Sequence, residues 1–375
     1  MPAPAAALPI AVYGATGYTG DLVIAELRRL GLDVVACGRR ADALAQVAAR
    51  HGLDPATAVR PAAADDHAAL VRAFTGCGVV IACAGPFGLW GEGVVRAAIQ
   101  AGAHYVDTTG EQPFIKTVIR QYGQAAANAG VALVSGMGFD YLPGDLLCHL
   151  TAEGAGPLSD LTIAYAIAGF GPTRGTAKSA VVQLSGPEDV FTGGALRRAP
   201  VRQPLGRSFD FGPALGVRTV ARYPAGEVIT VPRHVDTEQV TALITAAAFA
   251  PHPSLEKAVP VLAPAVGLLL RTPLRAALMA GIDRLAPGPP ESERRAVRYT
   301  LVCEATPADG GPVRRGVLEG GDIYGITAHT TAHAARLMAS DGYAKAGGLA
   351  PAEAYDARAF LDALGEHGIT YSVTG

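Results

Sequence analysis

Gly14-Ala-Thr-Gly17-Tyr-Thr-Gly20 stands where a short apolar run, Pro9 to Tyr13, gives way to a helical pattern with Val23, Leu27 and Leu30 on one face. Three glycines at such a junction have separate tasks. The first permits backbone angles closed to other residues, the second lets a pyrophosphate approach the main chain, and the third lets helix and strand pack closely. The helix N-terminus then faces the phosphates with free N–H groups and its positive dipole end, and Thr16, Tyr18 and Thr19 sit within the same cradle. A strand before the glycines and a helix after them make this a nucleotide-binding turn rather than a glycine-rich loop.

Further apolar runs follow at Asp33 to Cys37, Val79 to Cys83, His104 to Asp107 and Val131 to Ser135, with helical patterns between them. Short runs without alternation suit strands buried on both faces of a parallel sheet. Alternating strand and helix implies right-handed crossovers and a doubly wound α/β domain over residues 1–150. From Leu161 the texture changes to an apolar run ending at Ala168, then to segments rich in Pro and Arg, as in a second domain over 151–320. Arg298 to Glu304 and Val313 to Leu318 read as strands joined by a turn at Asp309-Gly310-Gly311. Ile323 to Ala339 reads as a buried helix, opening a C-terminal segment, 321–375, with one more helix and a strand.

The chain has 375 residues and a net charge of −2, with 31 basic side chains against 33 acidic ones. Only four of the basic residues are Lys, at 116, 178, 257 and 345, so no basic patch invites a nucleic acid. Cys37, Cys77, Cys83, Cys148 and Cys303 are odd in number and include no CxxC pair, which suits reduced thiols in the cytoplasm and neither a zinc ribbon nor a disulfide framework. Met1 to Leu8 has no basic side chain and does not read as a secretory signal. Val259 to Leu270, broken by Pro260 and Pro264, is short for a bilayer span. His329 and His333 stand at i, i+4, but Thr330, Thr331 and Ala332 between them offer neither ligand nor base, so no metal site is expected.

The strand ends carry the rest of the site. After the second strand the chain reads Cys37-Gly38-Arg39-Arg40, where two guanidiniums and no carboxylate await the adenosine ribose, a pattern for the 2′-phosphate of NADP(H). Asp65 either contacts adenine or caps its helix. The fourth strand delivers Gly85-Pro86-Phe87 toward the nicotinamide half of the cofactor. The fifth ends in Asp107-Thr-Thr-Gly110-Glu111, and the sixth in Gly136-Met-Gly138-Phe139-Asp140-Tyr141-Leu-Pro143-Gly-Asp145. Consecutive strand ends therefore carry polar side chains into one cleft. No tyrosine is followed four residues later by lysine, which removes the chemistry of short-chain dehydrogenases of that type.

In this order and at these separations, GATGYTG, CAGPFGLWG, YVDTTGE and GFDYLPGD resemble the saccharopine dehydrogenase-like oxidoreductases, including the bacterial trans-acting enoyl reductases. The likeness continues through Gly171 to Ser179, Gly288 to Arg294 and Glu319 to Ala328. The resemblance implies a Rossmann-type NADP-binding domain, an inserted α/β domain that shapes the substrate site and a dimer contact, and a C-terminal helix returning to the first domain. By position, Gly14, Gly17 and Gly20 would hold the pyrophosphate, Arg39 and Arg40 the 2′-phosphate, and Gly85, Pro86 and Phe87 the nicotinamide side.

The expected chemistry is hydride transfer from NADPH to an electron-poor C=C or C=N bond between the domains. Tyr141 is the expected proton donor, Glu111 a second and Asp140 an orienting group. Leu243 to Leu285 is apolar and favours a lipophilic or carrier-bound enoyl substrate, or else a dimer or membrane-surface contact. A diacid would call on Arg174, Arg197, Arg198 and Arg202, which keeps imine reduction as the alternative. Two rivals remain: a non-catalytic NADP(H) sensor, and a semialdehyde dehydrogenase using Cys83 or Cys148.

Overall fold

The structure, a computed structural model, describes residues 8–200, 207–248 and 266–375. Arg202, the Met1 to Leu8 segment before Leu8, and all of the Val259 to Leu270 tract before Val266 lie outside the described residues.

The chain divides into two units, the first comprising the residues up to Thr109, Phe114–Phe139 and Tyr324–Leu349. In it β1 (Ile10–Tyr13), β2 (Val34–Gly38), β3 (Val59–Pro61), β4 (Val79–Ala82), β5 (His104–Asp107) and β6 (Ala132–Val134) form one parallel sheet with Gly347–Leu349. The order is Gly347–Leu349, β6, β5, β4, β1, β2, β3, so the direction of winding reverses beside β1. Every residue of β1, β2, β4 and β6 is buried, which is why their sequence shows apolar runs without alternation. β3 and Gly347–Leu349 are edge strands of three residues each, too short to leave a periodic signal.

Helices α1 (Tyr18–Arg29), α2 (Ala41–His51), α3 (His67–Phe74) and α4 (Phe87–Ala101) make the crossovers. α1 buries Val23, Ile24 and Leu27. α2 and α4 both stop at a left-handed glycine, Gly52 and Gly102, whose N–H groups close on the carbonyls of the last turn. The expected helix face of Ile115, Val118, Ile119 and Tyr122 lies on a helix from Gln112 that passes through a π-turn at Val118–Tyr122 and ends at Asn128.

The second unit comprises Gly110–Pro113, Asp140–Ile323 and Ala350–Gly375. Its sheet contains β7 (Leu158–Ala168), β8 (Asp189–Thr192), β9 (Ala195–Arg198), β10 (Ser208–Asp210), β11 (Val217–Arg222), β12 (Gln239–Thr245), β13 (Arg298–Pro307) and β14 (Arg314–Gly321). Gly347–Leu349 is β15 in chain order, and β16 (Thr370–Thr374) closes the second sheet. The order is β10, β11, β12, β7, β13, β14, β16, with the β8–β9 hairpin attached to β12. β12 and β7 run parallel and the other pairs antiparallel. The helices used below are α5 (Leu142–Ala152), α6 (Arg174–Ser185), α7 (Glu227–Thr230) and α8 (Leu274–Ile282).

The domain limits differ from those expected at 150 and 320. α5 belongs with the second unit because Leu147 and Thr151 fill the space over Gly316 of β14, where a Cβ would lie 2.1 Å from Thr151 Oγ1. The C-terminal segment does not return to the first sheet as a whole. Tyr324–Leu349 does, with Gly347–Leu349 in register beside β6, whereas the rest joins the second unit through β16 on β14.

Among the described residues no helix is long and apolar enough to cross a membrane. The described residues of the apolar Leu243 to Leu285 region are of two kinds. Leu243 and Ile244 are core residues of β12, whereas Leu268, Leu269, Leu274 and Leu278 are 67%, 53%, 50% and 42% exposed.

Candidate functional site

The cradle of the first unit is built by close approach. Gly14 ends β1 with φ +86°, and a Cβ on it would stand 2.9 Å from the backbone nitrogen of Ala84, just past β4. Gly17 caps α1 with extended backbone, and no side chain caps the first turn. A Cβ on Gly17 would meet the Gly14 carbonyl oxygen at 3.2 Å, and one on Gly20 would meet it at 2.3 Å. Thr16 and Gly17 are exposed, Thr19 is half-buried, and the ring of Tyr18 rests edge-on against Tyr324, centroids 5.3 Å apart.

Beside the cradle, Arg39 and Arg40 are exposed at the carboxyl end of β2, and Arg40 precedes α2. Burial pushes the Tyr13 hydroxyl up to about 12; the Arg39 charge works against this and the Asp65 charge with it, which places both groups around the end of β1. Asp65 is exposed and does not cap α3. That task falls to Asp66, whose carboxylate accepts from the Ala69 N–H at 2.9 Å.

The Gly85–Pro86 peptide is cis, and Pro86 caps α4. Phe87 is turned inward: 4% exposed, it packs on Phe114 with centroids 5.7 Å apart. Its side chain is core and Pro86 is buried with it, whereas Gly85 before them is half-buried. Asp107 is fully buried at the end of β5 and accepts from Thr109 N–H, Ser135 Oγ and Gly136 N–H at 3.0, 2.7 and 3.0 Å. Burial pushes its carboxyl up to about 6 despite those bonds. The loop after β6 is fixed by the Ile323–Met338 helix, through Thr327 Oγ1 to the Phe139 N–H and Thr330 Oγ to the Met137 carbonyl.

These features fit a phosphorylated dinucleotide. The glycine contacts leave no room for side chains over the turn, an uncapped helix end offers amide donors to a pyrophosphate, and two guanidiniums wait beyond β2 where a 2′-phosphate would lie.

The second unit holds the expected proton-transfer groups. The Tyr141 hydroxyl donates to the Gly110 carbonyl at 2.5 Å and lies 3.4 Å from that of Pro224; the residue is 1% exposed, and burial pushes its hydroxyl well above the usual range. Glu111, 2% exposed, accepts from Ser179 Oγ of α6 at 2.7 Å. Asp140 is half-buried, makes no hydrogen bond among the described residues, and is pushed up to about 6 by burial; a Cβ on Gly110 would lie 3.3 Å from its Oδ2. Gln112 ties this corner together, donating to the Asp189 and Ala225 carbonyls and accepting from the Asp189 N–H.

Sequence reasoning missed the partners of this cluster. The Tyr223 ring lies tilted on Tyr141, centroids 6.2 Å apart, and edge-on to Tyr165 at 5.7 Å, and the Tyr165 hydroxyl donates to fully buried Glu227. Nothing around Tyr223 or Glu227 marks them in the sequence. Gly144, inside the quoted GFDYLPGD segment, carries the trace: a Cβ there would lie 2.2 Å from both Glu227 Oε1 and the Tyr165 oxygen.

The other candidates are placed as follows. His329 meets Glu26 at 3.0 Å and His333 meets Arg336 at 3.2 Å, so the i, i+4 pair faces two different partners. Burial pushes Cys83 up to about 12 and Cys148 well above its usual range, which disfavours a thiolate at either for a semialdehyde dehydrogenase. Arg174 donates to the Asp283 carbonyl, Arg197 to that of Thr192, and Arg198 pairs with Asp189 at 3.7 Å.

Comparison with known proteins agrees with this construction. Residues 10–134 match the saccharopine dehydrogenase NADP binding domain. The chain is 32% identical over 164 residues to a trans-acting enoyl reductase of Mycobacterium ulcerans, covering 41% of this chain and 39% of that protein. It is 29% identical over 198 residues to a saccharopine dehydrogenase-like oxidoreductase of Homo sapiens, covering 46% and 45%. The chain thus spans less than half the length of these curated relatives. The fold follows that of apo saccharopine dehydrogenase (L-Glu forming) from Saccharomyces cerevisiae, with a TM-score of 0.60 at 14% identity over 98% of this chain and 100% of that one. The glycine turn and the paired arginines thus lie within a region, residues 10–134, that matches the saccharopine dehydrogenase NADP binding domain.

Proposed function

We propose that this protein is an NADPH-dependent reductase of an electron-poor C=C bond in a lipophilic or carrier-bound enoyl compound, with Asp140 as the proton donor. The bound cofactor supplies hydride. Gly14, Gly17 and Gly20 hold its pyrophosphate, Arg39 and Arg40 its 2′-phosphate, and the Gly85–Pro86 backbone borders its nicotinamide half. The observation that carries the reading is Asp140: a carboxyl just beyond β6, without a hydrogen-bond partner among the described residues and with its affinity for a proton raised to near-neutral pH. Tyr141, whose hydroxyl is engaged by Gly110, holds the loop that presents it. Glu111, joined to Ser179, fixes the start of the neighbouring helix.

The enoyl substrate is favoured over an imine built from a diacid because the three described arginines suited to carboxylates already have protein partners. The mycobacterial relative named for enoyl reduction points the same way. The five free thiols suit a cytoplasmic location. The test is steady-state NADPH oxidation with enoyl thioesters, set beside lysine plus 2-oxoglutarate. Faster oxidation with the thioesters is expected. Preference for the amino acid and 2-oxo acid would overturn the substrate assignment, and tight NADPH binding without turnover on any compound would leave a dinucleotide sensor.

A further inference from the structure

Behind Asp140 two polar stripes face each other inside the second unit. Tyr141, Asp145 and His149 follow at i, i+4 and i+8 along α5, and Glu227, Thr230 and His234 at i, i+3 and i+7 along α7 and the 3₁₀ turn after it. Hydrogen-bond geometry links His149, His234 and Asp145. His234 Nε2 lies 3.1 Å from Asp145 Oδ2, His234 Nδ1 lies 3.2 Å from His149 Nδ1, and Asp145 Oδ1 accepts from the Ala352 N–H at 2.9 Å. Asp145 is fully buried and His149 half-buried. An imidazole that donates Nε2–H to a carboxylate accepts at Nδ1, so His149 is the Nδ1–H donor, and its Nε2 completes the outer end of the row.

Glu227 occupies the inner end. It is fully buried; Oε1 accepts from Tyr165, and Oε2 has no hydrogen-bond partner among the described residues. Gly144, the residue before Asp145, keeps the backbone of α5 open for it. A buried carboxyl with an unsatisfied oxygen is costly, and a group retained at such a cost is a functional candidate. The titratable groups facing the row are Asp140 and Tyr141 just before α5, Cys148 from α5, Tyr165 from β7, Tyr223 before α7, and Cys303 from β13 beside Cys148. The charges of Glu153 and Asp356 act on His149 from outside.

We propose that this row is the proton supply of the reductase, carrying solvent protons from His149 through His234, Asp145 and Glu227 to Asp140 past Tyr165 and Tyr223. The inference rests on the reading of Asp140 given above. Reduction of a C=C bond takes one hydride from the cofactor and one proton from Asp140, leaving its carboxylate. One proton then moves inward along the row, and His149 takes up one from water, so each turnover consumes one solvent proton and no further oxidant or reductant. Burial pushes Glu227 well above the usual carboxylate range, which favours its protonated form.

The experiment compares Glu227→Gln and His149→Gln with the wild-type protein in crotonyl-CoA reduction. NADPH titration and the isotope effect of 4-deuterated NADPH report cofactor binding and the hydride step. Both variants are expected to bind NADPH as the wild type does and to turn over about tenfold or more slowly. They should show an enlarged D₂O effect, and small acids such as imidazolium should restore the rate. Loss of rate without the D₂O effect and without rescue would reduce these residues to structural parts and overturn the proposal; so would unchanged rates. His149→Gln alters only a half-buried side chain and serves if Glu227→Gln does not fold. If the wild-type protein reduces no enoyl thioester, the reductase reading fails by itself. The infrared band of a protonated carboxyl, assigned to Glu227 by its loss in Glu227→Gln, then decides the row: absence of that band overturns it.

Discussion

Gly20 lies so close beneath the carbonyl of Gly14 that a Cβ on it would come within 2.3 Å of that oxygen. The contact joins the first turn of α1 to the end of β1 by backbone alone, and neither partner has a flexible end that can step aside. Gly20→Ala is therefore expected to lower stability by about 1–3 kcal/mol, the usual cost of forcing an extra carbon into a packed site. It should also displace the helix end and weaken NADPH binding, whereas Gly31→Ala, with nothing within 4 Å of its Cβ, should leave that binding unchanged. Thermal melts with and without NADPH separate the two effects.

The choice between the two nicotinamide dinucleotides falls to Arg39 and Arg40, exposed beyond β2 with no carboxylate beside them in the sequence. Each charged hydrogen bond to a 2′-phosphate contributes about 1.5–3 kcal/mol. Replacing the pair, Arg39→Asp with Arg40→Ser, should weaken NADPH by at least roughly tenfold and favour NADH, which has no 2′-phosphate. Isothermal titration with both dinucleotides measures the switch, and an unchanged preference would refute the assignment.

The parallel sheet was legible because its strands are buried on both faces, so Ile10–Tyr13 and Val79–Ala82 read as unbroken apolar runs between helices with a 3.6-residue period. The glycine turn was legible for a related reason: backbone contacts admit no other residue. Domain limits were less so. α5 is buried nearly all round, and an apolar helix does not reveal which sheet it covers until Gly316 of β14 is placed against Leu147. Phe87 stands in a motif at a strand end, yet its aromatic bulk is satisfied by Phe114. Glu227 and Tyr223 left no local trace, because what sets them apart is burial beside α5 and not their neighbours in the chain.

Glu26 supplies a test of acid stability in the first unit. Burial alone would raise its carboxyl, but the hydrogen bonds and charges of Arg29 and His329 prevail and bring it down to about 2. A carboxylate with a depressed folded pKa stabilises fully above its unfolded value near 4.5, and that contribution is lost as pH falls through the folded value near 2. The shift corresponds to about 3 kcal/mol. Glu26→Gln is expected to lower the melting temperature at pH 7, with the difference from wild type shrinking between pH 4.5 and pH 2. A difference that stays constant across that interval would show that packing, and not the ion pair, holds α1 to the Ile323–Met338 helix.

Asp140 gives the sharpest pH signature. Burial raises its carboxyl to about 6, so it holds a proton below that pH and loses it above. A proton donor of this kind requires the reduction rate to be level in acid and to fall as pH rises through about 6. Stability must move with the same sign, since ionising a buried carboxyl costs free energy: the protonated form favours the folded state, and the advantage fades between the unfolded value near 3.8 and the folded value near 6. Asp140→Asn removes the titration and keeps the shape. It is expected to lower the rate about 100-fold or more, flatten the limb near pH 6 and leave NADPH affinity unchanged. A variant that keeps the limb while losing rate would transfer the titration to Asp107, fully buried and likewise raised to about 6 at the end of β5.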